Sequence, residues 1–244
     1  MATRSSLHPS SAPPNVERAT RDQRETSATT LHRGSYRRAG AAGIVSVVTW
    51  ITGTLLAATP DLTTQSALHG FLDANGPRLF VSWLVMSAFA ISWLVFVLSV
   101  KVVATTGPGG VLFTAAAVMG QALMWTGASL RTAVAAPDAH TISLAVYNAL
   151  AEAAHLTAAA GIAATGLALL TLARTTPTAA WPKGFTRGTF LAGIVLLLTA
   201  VIGPLTFPVL AIWIMTASVL LLRRARSTGT VIEPSQPDDG ARFE

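Results

Sequence analysis

Residues 189–222 run for thirty-four positions without a charged side chain. As one α-helix the run would be ~50 Å long at ~1.5 Å per residue, against ~30 Å of hydrocarbon in a bilayer. Gly203, Pro204 and Pro208 interrupt it near the middle. Proline inside a helix removes a donor and clashes with the preceding turn, so two short spans joined by a hairpin fit better than one strongly tilted helix. These are expected at about 187–203 and 205–222. Four earlier apolar runs, at about 40–59, 79–100, 110–130 and 147–173, are each long enough to cross. The expected fold class is therefore all-α: a six-transmembrane-helix bundle over residues 39–224.

Composition agrees with a membrane class. Only 11% of the 244 residues are charged and 51% are hydrophobic, whereas a soluble domain carries about 25% charged residues. Cysteine is absent, which excludes disulfides, thiolate metal sites and cysteine nucleophiles. Residues 1–38 and 225–244 are polar, rich in Ser, Thr, Pro and Arg at the N-terminal side, and without apolar periodicity. Such tails are expected to be disordered, because they bury too little surface to offset the entropy of ordering. No short apolar region with a cleavage site precedes the first run, so that run is expected to stay as a span.

Charge sets the expected orientation. With six spans and both termini on one side, fifteen of the seventeen Lys and Arg residues fall on that side, and only Arg78 and Arg131 on the other. The positive-inside rule then places both termini in the cytoplasm of a multi-pass protein of the inner (plasma) membrane. A five-span chain would put Arg223, Arg224 and Arg226 outside. The basic residues sit in tails and short loops and not on an aromatic-interleaved surface, so the expected partners are the lipid bilayer and anionic lipid at the basic flanks, and not nucleic acid. Nothing in the residues fixes a protein partner or a homo-oligomer.

Within the spans, Gly43 and Gly53 of the first are expected close-approach points. Leu68, Phe71 and Leu72 suggest a short interfacial helix, ended by Asn75, Gly76 and Pro77. The second span reads as the most lipid-facing, with Trp83 and Trp93 toward its ends and Phe80, Phe89 and Phe96 along it. Gln121 lies near the middle of the third, on one face with Trp125, Ala128 and Thr132. Residues 147–174 are dense in Ala and Gly, as suits a helix that others surround.

That fourth helix carries the two ionisable groups Glu152 and His155, three residues apart. Arg131, at the end of the third span, is expected near Glu152 and in a position to offset the cost of burying its carboxylate. Arg131, Glu152, His155 and Gln121 form the candidate polar site. Di-iron bundles use paired Glu-x-x-His motifs with further glutamates, and this chain has one such motif. A zinc site from His69, His140 and His155 is not required by their spacing, and a haem would need an inward axial histidine, for which only His155 qualifies. No phosphate loop or nucleophile elbow is present. The expectation is a protein without enzymatic activity, metal or cofactor, in an accessory or structural role. The alternative is a small transporter or channel using the polar site around Glu152 and His155.

The Ala- and Gly-rich first span, the polar loop ending in Phe71, Leu72 and Asp73, the aromatic second span and the Trp181, Pro182, Lys183 entry to the fifth also carry a resemblance. Over residues 40–224 the chain resembles a broad group of uncharacterised six-helix bacterial membrane proteins, classed as a domain of unknown function. The resemblance implies the topology and no activity.

Overall fold

The computed structural model describes residues 14–60, 62–105, 107–133, 142–177, 181–199 and 206–227, with side chains from Gly34 onward. Six helices and no strand occur among the described residues: α1 (Pro14–Leu56), α2 (Gln65–Ala104), α3 (Gly107–Thr132), α4 (Leu144–Thr175), α5 (Lys183–Leu197) and α6 (Thr206–Ser227). Five are long and apolar enough to cross a membrane, namely Gly34–Leu56 of α1 and all of α2, α3, α4 and α6. At fifteen residues, α5 would rise only ~22 Å. It is not among the five, so a sixth span is not established. The hairpin expected at Gly203 and Pro204 lies outside the described residues. Pro208 sits in the first turn of α6, where a missing donor leaves no helical acceptor unpaired.

Each helix packs on its neighbours in the chain, and α6 returns to α1, closing a ring. Adjacent helices run antiparallel. Gly40 and Gly43 near the start of the apolar part of α1 face Leu222 and Ser218 near the end of α6, while Trp50 meets Phe207 at 5.5 Å between ring centroids. Two ends follow from this alternation. All described Lys and Arg side chains except Arg78 and Arg131 lie at the end where α1 becomes apolar and α6 finishes; this is the basic end. At the opposite end, α1 and α3 finish and α2, α4 and α6 begin.

No helix sits at the centre with the others around it, as the small residues of the fourth span suggested. Instead α4 is the most buried of the five by a small margin. Its small residues serve two seams. A Cβ on Gly161 would lie 2.6 Å from the Gly120 carbonyl of α3, and one on Gly166 would lie 2.8 Å from the Gly193 carbonyl of α5. Backbones this close exclude any side chain and gain dispersion contacts along their length, the main attraction available between helices in lipid. Gly53 of α1 admits Met86 of α2 in the same manner, with Met86 Sδ at 2.7 Å from the position of a Cβ.

The second helix departs from expectation twice. It is unbroken from Gln65 to Ala104 with Pro77 inside it, although Asn75, Gly76 and Pro77 read as a stop. Tertiary contacts hold the helix through the proline. Leu68, Leu72 and Leu79 are buried with Tyr147 of α4 in a small separate core. Arg78 donates to the Ala58 carbonyl at 2.8 Å and lies over the Phe71 ring. The Gln65 amide donates to the Ile142 carbonyl at 2.8 Å and accepts from the Leu144 N–H at 2.7 Å, which satisfies one of the orphan donors at the start of α4. Forty residues make ~60 Å of helix, about twice the ~30 Å of a bilayer's hydrocarbon, and the first turns of α2 form a cap at this end of the bundle.

The second departure concerns which face is buried. Phe89, Trp93 and Phe96, read as part of a lipid-facing span, are core residues with almost no exposure, while Phe80 is exposed. They continue a run of ring contacts from Trp50 through Phe89, Trp93, Phe96, Trp213 and Phe185 to Trp181. Hydropathy does not separate lipid-facing from core-facing aromatics, because both environments are apolar. At the N-terminal side, α1 begins at Pro14, within the stretch expected to be disordered. Ala, Arg and Glu, all helix formers, recur there.

Candidate functional site

At the end opposite the basic one the helices enclose an open cleft of about 130 Å³. Its walls are mostly small: Gly53 of α1 and Ala57 just past its end, Gly127 and Ala128 of α3, and Ala151, Ala154 and Ala158 of α4. The same glycine that brings α3 against α4 shapes it, since a Cβ on Gly127 would lie 2.7 Å from the Ala154 carbonyl. Closely spaced backbones bearing methyl groups or hydrogen leave unfilled volume where two helices diverge. Larger side chains close the cleft toward the basic end, with Trp50, Met86 and Met124 buried and Phe207 beside them. Beyond Trp50 the stacked Phe89 ring, at 5.8 Å, begins the aromatic core.

Two polar side chains of the expected site line this cleft, Arg131 and His155. Both are exposed. The Arg131 guanidinium donates from Nη2 to Thr59 Oγ1 at 3.4 Å, which ties the end of α3 to the chain just past α1. Glu152 is exposed and does not line the cleft, and no ion pair joins it to Arg131 among the described residues. The reason is helical phase. Ala151, Ala154, His155 and Ala158 make the cleft face of α4, and Glu152 is turned ~100° from Ala151.

Gln121 is elsewhere. It is buried at 7% exposure on the stripe of α3 that faces α2, between two indole hydrogen bonds: Trp93 Nε1 to the Ala117 carbonyl at 3.3 Å and Trp125 Nε1 to Ser87 Oγ at 3.2 Å. Neither its Nε2 nor its Oε1 has a hydrogen-bond partner among the described residues. A buried amide left unsatisfied costs roughly 1–3 kcal/mol, whereas an apolar side chain of like shape carries no such cost. Replacing it with methionine (Gln121→Met) is accordingly expected to stabilise the detergent-solubilised protein by ~1–2 kcal/mol, read from denaturant titration. A loss of stability would show that the amide has a polar partner.

No family model, curated protein or solved structure matches this chain.

The site therefore rests on its own geometry. His140, weighed as a zinc ligand, lies outside the described residues, and no three His, Asp or Glu side chains gather among those described. His69 is held at the cap, its Nε2 at 2.7 Å from Gln65 Nε2, and does not line the cleft with His155. The arrangement can do one thing chemically. A guanidinium and an imidazole, with no carboxylate in the lining among the described residues, offer donors to a negatively charged group at the mouth of a mostly apolar hollow. Sequence reasoning missed Trp50, Thr54, Met86 and Phe207, which come from three other helices. The available signal was the alternation of small residues on the third and fourth runs, which marks where helices touch and hence where a gap between them can open.

Proposed function

We propose that this chain is a multi-pass plasma-membrane protein with its basic end in the cytoplasm and an accessory or structural role, holding a one-sided cleft and not a path through the bilayer. The observation that carries this reading is that the cleft ends on Trp50, Met86 and Met124, with the closely packed aromatic core beyond them. A permeation path needs polar groups in series. Here Glu152 is exposed outside the cleft and Gln121 is buried in a different seam, which leaves the transporter or channel alternative without a continuous line of residues. The orientation is supported by the gathering of basic residues at one end. Those residues also make anionic lipid of the cytoplasmic leaflet the natural partner there, at about 1 kcal/mol per Lys or Arg near the surface. The likeness to six-helix membrane proteins of unknown function belongs to the same proposal. In proteoliposomes loaded with a pH-sensitive dye and with K⁺ on one side, the protein is expected to leave proton and K⁺ gradients intact. Dissipation that His155→Ala abolishes would replace this reading with a conducting one.

A further inference from the structure

Beside the cleft runs a second hollow of about 430 Å³, between α1 and α6 and walled by Ile51, Leu55, Pro208, Ala211 and Ile212. Trp50, Thr54 and Phe207 line both hollows, so the two meet across those three side chains. One is apolar and faces outward, with Leu55 at 70% and Ile212 at 66% exposure. The other carries Arg131 and His155.

We propose that the pair binds one anionic phospholipid, its phosphate on Arg131 and His155 and an acyl chain along the groove of α1 and α6. This deepens the reading of a one-sided cleft above and rests on it. Four observations favour this occupant over a lipid that merely covers an apolar face. Arg131 has five N–H donors and gives one long hydrogen bond, to Thr59, among the described residues. A guanidinium matches phosphate with two parallel charge-assisted bonds. Among the described residues the cleft lining holds no carboxylate, so the ammonium of a zwitterionic headgroup would find no partner there and would meet the arginine, while a headgroup of net negative charge meets donors. The other cation at this end, Arg78, is engaged by the Ala58 carbonyl and the Phe71 ring. The guanidinium also reaches Thr59, just beyond the turn of α1 that carries Ile51, Thr54 and Leu55. The Arg131 guanidinium thus stands above the groove wall, in the order a lipid needs.

The test is native mass spectrometry of the full chain, delipidated in detergent and titrated separately with phosphatidylglycerol, phosphatidylcholine and glycerol 3-phosphate. One phosphatidylglycerol is expected to bind at least about tenfold more tightly than phosphatidylcholine, since both offer the same phosphodiester and only phosphatidylcholine also brings a cation against Arg131. The Arg131→Gln variant is expected to bring that ratio near one, with the melting temperature of the lipid-free protein unchanged, and Arg131→Lys to restore part of it. Filling the groove with Ala211→Phe is expected to weaken both lipids. Equal binding of the two lipids by the wild type, or an unchanged ratio in Arg131→Gln, would overturn the assignment. Glycerol 3-phosphate binding as tightly as phosphatidylglycerol would make this a site for a soluble phosphate and overturn the lipid. Loss of the lipid preference in protein that still holds ion gradients would sink this inference alone, whereas dissipated gradients would sink the reading beneath it.

Discussion

A leucine at position 161 is expected to abolish recovery of folded protein. The Gly161 Cβ position lies 2.6 Å from the Gly120 carbonyl and 2.8 Å from the Met124 N–H nitrogen, and neither is a side chain that can swing away. Even alanine must push α3 and α4 apart at their tightest point, at a cost of ~1–3 kcal/mol from overpacking alone. Leucine adds three carbons to that displacement and opens the whole seam, including the Gly127 contact that shapes the cleft. Membrane insertion should be unaffected, since leucine is better accommodated by lipid than glycine. The readout is size-exclusion chromatography of a fluorescent fusion. Gly161→Leu should be present in membranes at wild-type level yet lack a monodisperse peak in mild detergent, with Gly161→Ala retaining one at a lowered melting temperature. A wild-type profile for Gly161→Leu would mean that α3 and α4 do not touch there.

The second large effect is expected at Trp93, which is 2% exposed and stands between Phe89 at 6.3 Å and Phe96 at 5.7 Å. In water a buried tryptophan cut to alanine costs ~3–5 kcal/mol, part of it the transfer of apolar surface from solvent. Lipid is as apolar as the core, so that part shrinks here while the lost packing and the cavity remain. The expected loss for Trp93→Ala is ~2–3 kcal/mol. Trp93→Phe should cost about half as much, because it keeps the ring contacts and gives up only the benzo ring and the bond to the Ala117 carbonyl. Chemical denaturation in detergent measures both. If Trp93→Ala were as stable as wild type, the ring would face lipid, as hydropathy alone suggests.

These two sites also show what could be read from the chain and what could not. Apolar length is a property of the sequence alone, which is why the third and fourth runs are recognisable as helices and why Gly43 and Gly53 stand out as contact points. The passage of α2 through Pro77 depends on Arg78 finding the Ala58 carbonyl and on Leu72 and Leu79 finding Tyr147, partners that no local pattern names. Burial of Phe89, Trp93 and Phe96 was hidden because a span must be apolar on every face. In the site, Arg131 and His155 could be brought to the same end by counting spans, and the cleft does contain both. Glu152 could not be placed, since one residue of helical phase separates the cleft face from the exposed one. Gln121 was assigned to that site from its face on α3, and its burial against α2 became visible only with the tertiary packing.

The most direct test of the central claim, a one-sided cleft opposite a basic cytoplasmic end, uses the absence of cysteine from this chain. Single cysteines are placed at Thr64 of the cap, at Ala158 in the cleft and at Ser227 of the basic end, and each variant is treated with a membrane-impermeant thiol reagent in right-side-out and in inside-out vesicles. The account predicts labelling of Thr64→Cys and Ala158→Cys from the outside only, and of Ser227→Cys from the inside only. Labelling of Ala158→Cys from the same side as Ser227→Cys would contradict it.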